Sequence, residues 1–402
     1  MERIIFHIDV NNAFLSWSAI DLLNKGYKYD IRNSYAVIGG DEEARHGIVL
    51  AKSNAAKKMG IKTAETLYSA RKKCPALRVY PSNYSFYAEM SKRLFELLSK
   101  YSPDIEVASI DECYLDYGKV KNLYGEEYEF SKKIQKEIYD TLGFTVNIGI
   151  ANNKLCAKMA SDFSKPYKIH TLYKEEIAEK MWPLPVDELF GIGKKTAPKL
   201  HQLGIHTIYD LAHFDSKKLE YYFKNQAIHM IHLANGMDDS PVVSEASSPE
   251  SIGNEITLDK DISNRVELCN CLLGLSENVA LRLRRQKKYA YVIAVILKDK
   301  YFRRTSHQKK LKNATNITSE IYEVACSILN EMECDSVRLI GIRLDQLGDI
   351  SNHQVSLFED IKEREEHSEL DQTVDELKSK FGISVIKKAS LMEQKIDKKY
   401  LK

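Results

Sequence analysis

Apolar positions change their period repeatedly along the first part of the chain, and each change marks a change of element. Residues 3–10 are an apolar run bounded by polar positions, which predicts a central strand. Residues 13–23 follow with helical spacing, with Asn11 or Asn12 as the cap. Residues 35–38 and 48–51 predict short strands, and Ser53 opens a helix that Gly60 stops near Met59. Tyr87, Met90, Leu94, Phe95 and Leu98 fall on one stripe of a helix over 84–100. Strands are expected at 105–109 and 113–117, and Phe130, Ile134, Ile138 and Leu142 mark another helix. A strand at 145–151 and a helix at 154–163 complete the pattern. Strands and helices alternating in this way predict an α+β sheet with helices on one face.

After Pro166 the texture changes to short helices with glycine turns, up to Asn235-Gly236. Residues 237–253 are rich in Ser, Pro and Asp and read as a linker. A second α/β unit follows, with helices at 266–286 and 316–332 and strands at 289–298 and 336–344. Beyond about Leu347 lies a charged tail with one expected helix over 370–381.

A chain of 402 residues exceeds one ordinary core, so two to four domains are expected. No apolar run is long enough to span a bilayer, and the apolar start reads as a strand rather than a leader, which predicts a cytoplasmic protein. Seven scattered cysteines without a CxxC pair argue against zinc and for reduced thiols. Net charge is only +2, yet residues 282–312 hold twelve Lys and Arg against the single acid Asp299. The rest of the chain is therefore acidic, and this basic block predicts a polyanionic partner over a merely solvated face.

Two acidic segments carry the candidate chemistry. Asp9 ends the first strand in Phe6-His7-Ile8-Asp9-Val10, and Asp111-Glu112 lies in Ser109-Ile110-Asp111-Glu112-Cys113-Tyr114-Leu115-Asp116. A carboxylate at the end of a buried strand is costly unless paired or metal-bound. Three of them on adjacent strand ends could hold two Mg²⁺ ions, with water and phosphate oxygens completing each octahedron. Singly, each acid is weak evidence, since a lone Asp at a strand end is more often a cap or turn residue. Together the segments resemble the first and the catalytic motif of the Y-family (translesion) DNA polymerases, close to the polymerase IV type, and the resemblance runs through residues 1–348 and into the tail.

That resemblance implies a right-hand polymerase: a ferredoxin-like palm (1–12 and 79–171), small fingers (13–78), a helix-hairpin-helix thumb (172–236), the linker (237–253), an α/β little finger (254–348) and a tail (349–402). It implies low-fidelity, template-directed addition of dNTPs to a primer 3′ end, with no proofreading module. Asp9, Asp111, Glu112 and the Val10 carbonyl would ligate the two Mg²⁺ ions. Phe14 falls at the sugar steric gate, against the plainer reading of helix packing. At the triphosphate the family carries Tyr and Arg three residues apart; here Asn54 and Lys57 stand instead, which keeps one charge but loses the bidentate fork. Lys165, in Ser164-Lys165-Pro166, would reach the triphosphate, whereas Lys158 reads as solvated or sheet-packing. Ile48 and Leu50 would roof the nascent pair.

For DNA, Leu189-Phe190-Gly191-Ile192-Gly193-Lys194-Lys195 reads as a helix-hairpin-helix turn, with Gly191 and Gly193 freeing backbone N–H groups and Lys194 and Lys195 adding charge. Arg282, Arg284, Arg285, Lys300, Arg303 and Arg304 are candidate phosphate contacts. Gln354, Leu357 and Phe358 of Gln354-Val355-Ser356-Leu357-Phe358 resemble the peptide that binds the bacterial sliding clamp. A monomer acting on primer-template DNA, dNTP and clamp is expected. Two rivals stand beside this reading. Gly39-Gly40-Asp41-Glu42-Glu43 resembles the diguanylate-cyclase signature, and loss of Tyr and Arg at 54 and 57 suits a catalytically weak accessory protein bridging the clamp and repair partners.

Overall fold

The computed structural model describes residues 3–40, 47–245, 248–333, 335–349 and 361–382, with 385, 386 and 388. It divides into two compact units, one reaching residue 245 and one from 248 onward.

In the first unit β1 (Ile5–Val10) leads into α1 (Ala13–Asn24). Three short strands follow, β2 (Ala36–Gly39), β3 (Val49–Lys52) and β4 (Arg78–Pro81), with α2 (Asn54–Lys58) and α3 (Leu67–Lys73) between the last two. Then come α4 (Tyr84–Ser99), β5 (Ile105–Val107), β6 (Glu112–Asp116), α5 (Lys121–Tyr124), α6 (Glu127–Leu142), β7 (Val146–Ala151), α7 (Lys154–Asp162) and β8 (Ile169–Thr171). Strand order in the main sheet is β5-β6-β1-β7-β8, antiparallel except for the β7–β8 pair. The three short strands form a separate sheet in the order β3-β2-β4.

Side chains of a strand alternate between faces. Phe6, Ile8 and Val10 of β1 pack with Leu94 of α4 and Ile134 and Ile138 of α6. Ile5 points the other way, into a core with Leu155 and Met159 of α7. The main sheet is therefore covered on both faces, not on one as the pattern predicted. Gly149 permits it: a Cβ there would lie 1.9 Å from the Ala157 carbonyl oxygen, so only glycine lets α7 sit this close to β7.

The small helices α8 (Ile177–Lys180), α9 (Ala197–Gln202), α10 (Ile208–Ala212), α11 (Ser216–Phe223) and α12 (Gln226–Ala234) share that second core. The stretch read as a linker is partly anchored: Asp238 accepts from the Leu155 amide at 3.1 Å, and the Val243 amide donates to Glu106 at 2.9 Å.

The second unit is a sheet in the order β11-β10-β12-β9, built from β9 (Ser251–Ile262), β10 (Lys288–Asp299), β11 (Arg304–Thr315) and β12 (Val337–Asp349). Helices α13 (Arg265–Arg285) and α14 (Thr318–Asn330) share its core with Ile293, Val295, Ile340 and Ile342. The tail helix α15 (Ile361–Phe381) begins nine residues earlier than expected and is ion-paired to this unit. β9 starts inside the supposed linker, and β11 starts inside the basic block; neither was expected, nor were α3, β4 and β8.

Candidate active site

Antiparallel pairing of β1 with β6 sets Asp9 opposite Glu112, and the Val10 amide donates to the Asp111 carbonyl at 3.1 Å. Three carboxylates thus come from two adjoining strand ends. Asp9 is only 6% exposed. Burial pushes its carboxyl pKa up, against the pull of Lys165, with which it forms an ion pair. Lys165 also meets Asp162 at 2.8 Å. Burial alone would lower its pKa, and the two acids outweigh it, so the ammonium stays charged.

Glu112 accepts from Lys158 at 2.9 Å and faces the His7 Nε2 at 3.4 Å. His7 and Lys158 together hold its carboxyl down at about 2. Burial lowers the pKa of His7 itself, so near neutral pH Lys158 is the partner that carries charge. Asp111 is half-buried and accepts from the Ser109 hydroxyl at 2.7 Å.

Among the described residues no three His, Cys, Asp or Glu side chains converge tightly enough to hold a metal as they stand. Two of the carboxylates are instead neutralised by Lys165 and Lys158. The donor set nevertheless fits a hard divalent cation in kind, being all carboxylate oxygen beside a strand-end carbonyl. Asp9, raised by burial, is a group whose charged form needs a cation nearby.

The lysine-bearing loop is braced by residues to which the sequence pattern gave no such role. Asn147, fully buried in β7, donates to the carbonyls of Ser161 at 2.9 Å and Ser164 at 2.6 Å, and accepts from the Lys168 amide at 3.1 Å. Asn11 donates to Asn147 at 3.1 Å and accepts from the Tyr167 amide at 2.7 Å. It is Asn12 that stands at the head of α1, left-handed and without a side-chain cap bond. His7 meets the Ser161 hydroxyl at 2.8 Å. The one signal of His7 and Asn147 in the sequence is a polar residue inside an apolar strand, while Asn11, read as a cap, sits just past the end of β1.

Phe14 is half-buried, stacked on Tyr87 with ring centroids 4.9 Å apart and edge-on to Tyr84 at 6.1 Å. Asn54 and Lys57 are exposed on α2, which Ser53 caps by accepting from the Ala56 amide at 3.0 Å. Ile48 is exposed and Leu50 half-buried.

At the hairpin, Ile192 is buried while Gly191, Gly193, Lys194 and Lys195 are exposed, and Gly191 takes a φ of +94° that favours glycine. Within the basic block the candidates divide. Arg285 and Lys300 are exposed. Arg282 donates to the Gly253 carbonyl at 2.9 Å, Arg303 pairs with Asp299 at 2.7 Å, and Arg304 pairs with Glu255. Arg284 corrects the expectation. Its side chain is only 10% exposed and is held by Asp371 at 2.9 Å and Asp375 at 2.7 Å of α15, so its charge is spent inside the unit. The clamp-like peptide, including Gln354, Leu357 and Phe358, lies outside the described residues, as do residues 41–43 of the cyclase-like string. No described helix is long and apolar enough to cross a membrane.

Comparison with known proteins agrees with this geometry. Residues 8–162 match the impB/mucB/samB family model, 249–357 its C-terminal domain and 174–205 the HHH motif of the same family. The chain is 45% identical to the DNA polymerase IV of Clostridium acetobutylicum, over 98% of this chain and 99% of the relative. It is similar to a solved Y-family DNA polymerase chimera of Dbh and Dpo4, with a TM-score of 0.75 and 27% identity over 86% of this chain and 99% of that one. A second solved structure, an insertion ternary complex of Dbh DNA polymerase, aligns with a TM-score of 0.61 and 26% identity over the same 86% of this chain and 99% of its own. The chain therefore belongs to the impB/mucB/samB family, the Y-family DNA polymerases, and within it to the polymerase IV type. Its enzyme class is DNA-directed DNA polymerase of the translesion kind, with the palm, fingers, thumb and little finger of that fold. The cyclase reading is set aside on the same grounds.

Proposed function

We propose that this enzyme adds dNTPs to a primer 3′ end at low fidelity opposite damaged template, by two-Mg²⁺ nucleotidyl transfer and without proofreading. The pairing of Asp9 with Glu112 on adjoining strands, next to Asp111, carries the reading. Two Mg²⁺ ions held by Asp9, Asp111, Glu112 and the Val10 carbonyl would activate the 3′-hydroxyl and stabilise the leaving pyrophosphate. Lys165, charged beside Asp9, supplies a cation for the triphosphate, and Asn54 and Lys57 add a hydrogen bond and a second charge. Phe14, fixed by its stack on Tyr87, excludes a 2′-hydroxyl.

Gly191, Gly193, Lys194 and Lys195 of the thumb, with Arg285, Lys300 and the more weakly committed Arg282, Arg303 and Arg304, hold the DNA backbone without reading sequence. The domain boundaries follow the segments inferred above, save that the little finger starts with β9 at Ser251 and takes in α15, and Gln354, Leu357 and Phe358 tether a monomeric, cytoplasmic enzyme to the bacterial sliding clamp.

Replacement of Asp9, Asp111 or Glu112 by Ala is expected to abolish primer extension while leaving primer-template affinity within about threefold, because these groups serve metal rather than duplex. Wild-type extension rates in Asp111→Ala would overturn the two-metal assignment. The second reading, a weak accessory protein, is favoured by Asn54 and Lys57 alone. It predicts that purified wild-type protein with Mg²⁺ and all four dNTPs does not extend a primer.

A further inference from the structure

Lys52 closes β3 and Lys57 lies one turn into α2, so both amines belong to one strand–helix corner of the fingers. Ser53, fully buried between them, fixes that corner: it accepts from the Ala56 amide at 3.0 Å and donates to the Ser34 carbonyl at 2.6 Å. Lys52 Nζ also donates to Thr63 Oγ1 at 2.8 Å. Neither Lys52 nor Lys57 has a carboxylate within ion-pair distance among the described residues, and the nearby acid Glu65 is bound by Lys73. Partial burial, and then the charge of Lys57, pushes the Lys52 pKa down against the lesser pull of Glu65. Two like charges held at one corner, one of them partly out of water, are unfavourable until an anion joins them.

We propose that Lys52 and Lys57 form a two-ammonium seat for the terminal phosphates of the incoming dNTP. The inference rests on the polymerase reading above and adds Lys52, which no family motif marks, as a nucleotide-positioning residue. A template phosphodiester carries one negative charge, which a single ammonium satisfies. The terminal phosphates of a nucleotide carry more and call for two. Asn54, on the first turn of the same helix, can donate its amide to them as well. Charge that an arginine fork would concentrate at position 57 is here divided between two lysines.

Single-nucleotide insertion by the full chain, on an undamaged primer-template with Mg²⁺, tests this. Lys52→Ala is expected to raise the KM for dNTP by about tenfold or more, the loss of one charge-assisted hydrogen bond, with kcat changed less than about threefold. The primer-template Kd, read by fluorescence anisotropy, should move by less than about twofold, and Lys52→Arg should restore most of the KM. Thr63→Ala is the control for a merely structural role and should leave KM within about threefold of wild type. An unchanged KM in Lys52→Ala overturns the seat, as does a Thr63→Ala variant that reproduces the whole effect. A weakened primer-template Kd with unchanged KM also overturns it and assigns Lys52 to the template backbone. If wild-type protein extends primers, a failure here concerns Lys52 alone; if it does not, the polymerase reading itself fails.

Discussion

As the proposed sugar gate, Phe14 would carry two demands in one ring. It stacks on Tyr87, whose hydroxyl is bound to Ser18 at 2.6 Å, so the ring is held by the helix that carries it and by α4. It is also half-exposed, as a group that meets a sugar must be. Packing and gating are therefore not alternatives at this position, because a gate works only if it cannot yield. Phe14→Ala should raise the ratio of ribonucleotide to deoxyribonucleotide incorporation and lower stability by about 2 kcal/mol, less than a fully buried ring would cost. Competing rNTP and dNTP insertion, with a urea melt of the same protein, reads both; an unchanged ratio with the stability loss would leave Phe14 as packing only. Asp9 and Phe14 stand out in the sequence because they sit in a short motif with a fixed offset. The roles of Asn11, Asn147 and His7 were not legible, since their partners Tyr167, Ser164 and Ser161 lie 17 to more than 150 residues away. A lone polar residue in a strand does not say which distant loop it will hold.

Strands and helices with strong periodic apolar faces were read within a few residues of where they fall, among them β1, α4, α6, β7 and α13. The missed strands, β4, β8, β9 and β11, share a physical cause: each lies at the edge of its sheet. β11 is an edge strand whose side chains from Arg304 to Gln308 are all exposed, so no buried face imposes an apolar alternation. β9, the opposite edge, follows a Ser- and Pro-rich stretch and exposes Ser251, Gly253 and Glu255. The placement of α7 was equally hidden, because it depends on the absence of a side chain at Gly149. That helix bears Lys158 and leads into the loop of Lys165, so its distance from β7 sets both cations against both carboxylates. Gly149→Ala would drive a Cβ into the Ala157 carbonyl at 1.9 Å and the Ser161 amide at 2.5 Å, both of them backbone. The helix must shift, and the expected cost is about 3 kcal/mol or more of stability, with a fall in kcat larger than any change in primer-template Kd. Denaturant melts and insertion kinetics check it; wild-type stability and kcat would mean that α7 does not position the lysines.

Each of the two units has its own apolar core, and the charge balance of the chain is settled differently in each. The basic block of the second unit is partly spent internally. Arg284 binds Asp371 and Asp375, Lys378 meets Glu277 at 3.1 Å, and Arg364 meets Glu320 at 2.9 Å, so α15 is fastened to the layer of α13 and α14. This changes how the clamp tether must be tested. Cutting the chain after Asp349 would remove the clamp-like peptide, but it would also remove both acids that neutralise a buried guanidinium, at a cost of about 3–5 kcal/mol. Loss of clamp stimulation in such a truncation would then report a damaged little finger as readily as a lost tether. Substituting Gln354, Leu357 and Phe358 by Ala together leaves α15 and its ion pairs in the chain. A tether raises the effective concentration of the enzyme at the primer end and adds nothing to the active site. The triple variant should therefore keep wild-type insertion kinetics on a short primer and its wild-type melting temperature, and lose the lengthening of products that loaded bacterial clamp gives the wild type. Product length with and without clamp is the measurement. Equal stimulation of the triple variant and the wild type would remove the peptide from the tether and leave it an ordinary segment between β12 and α15.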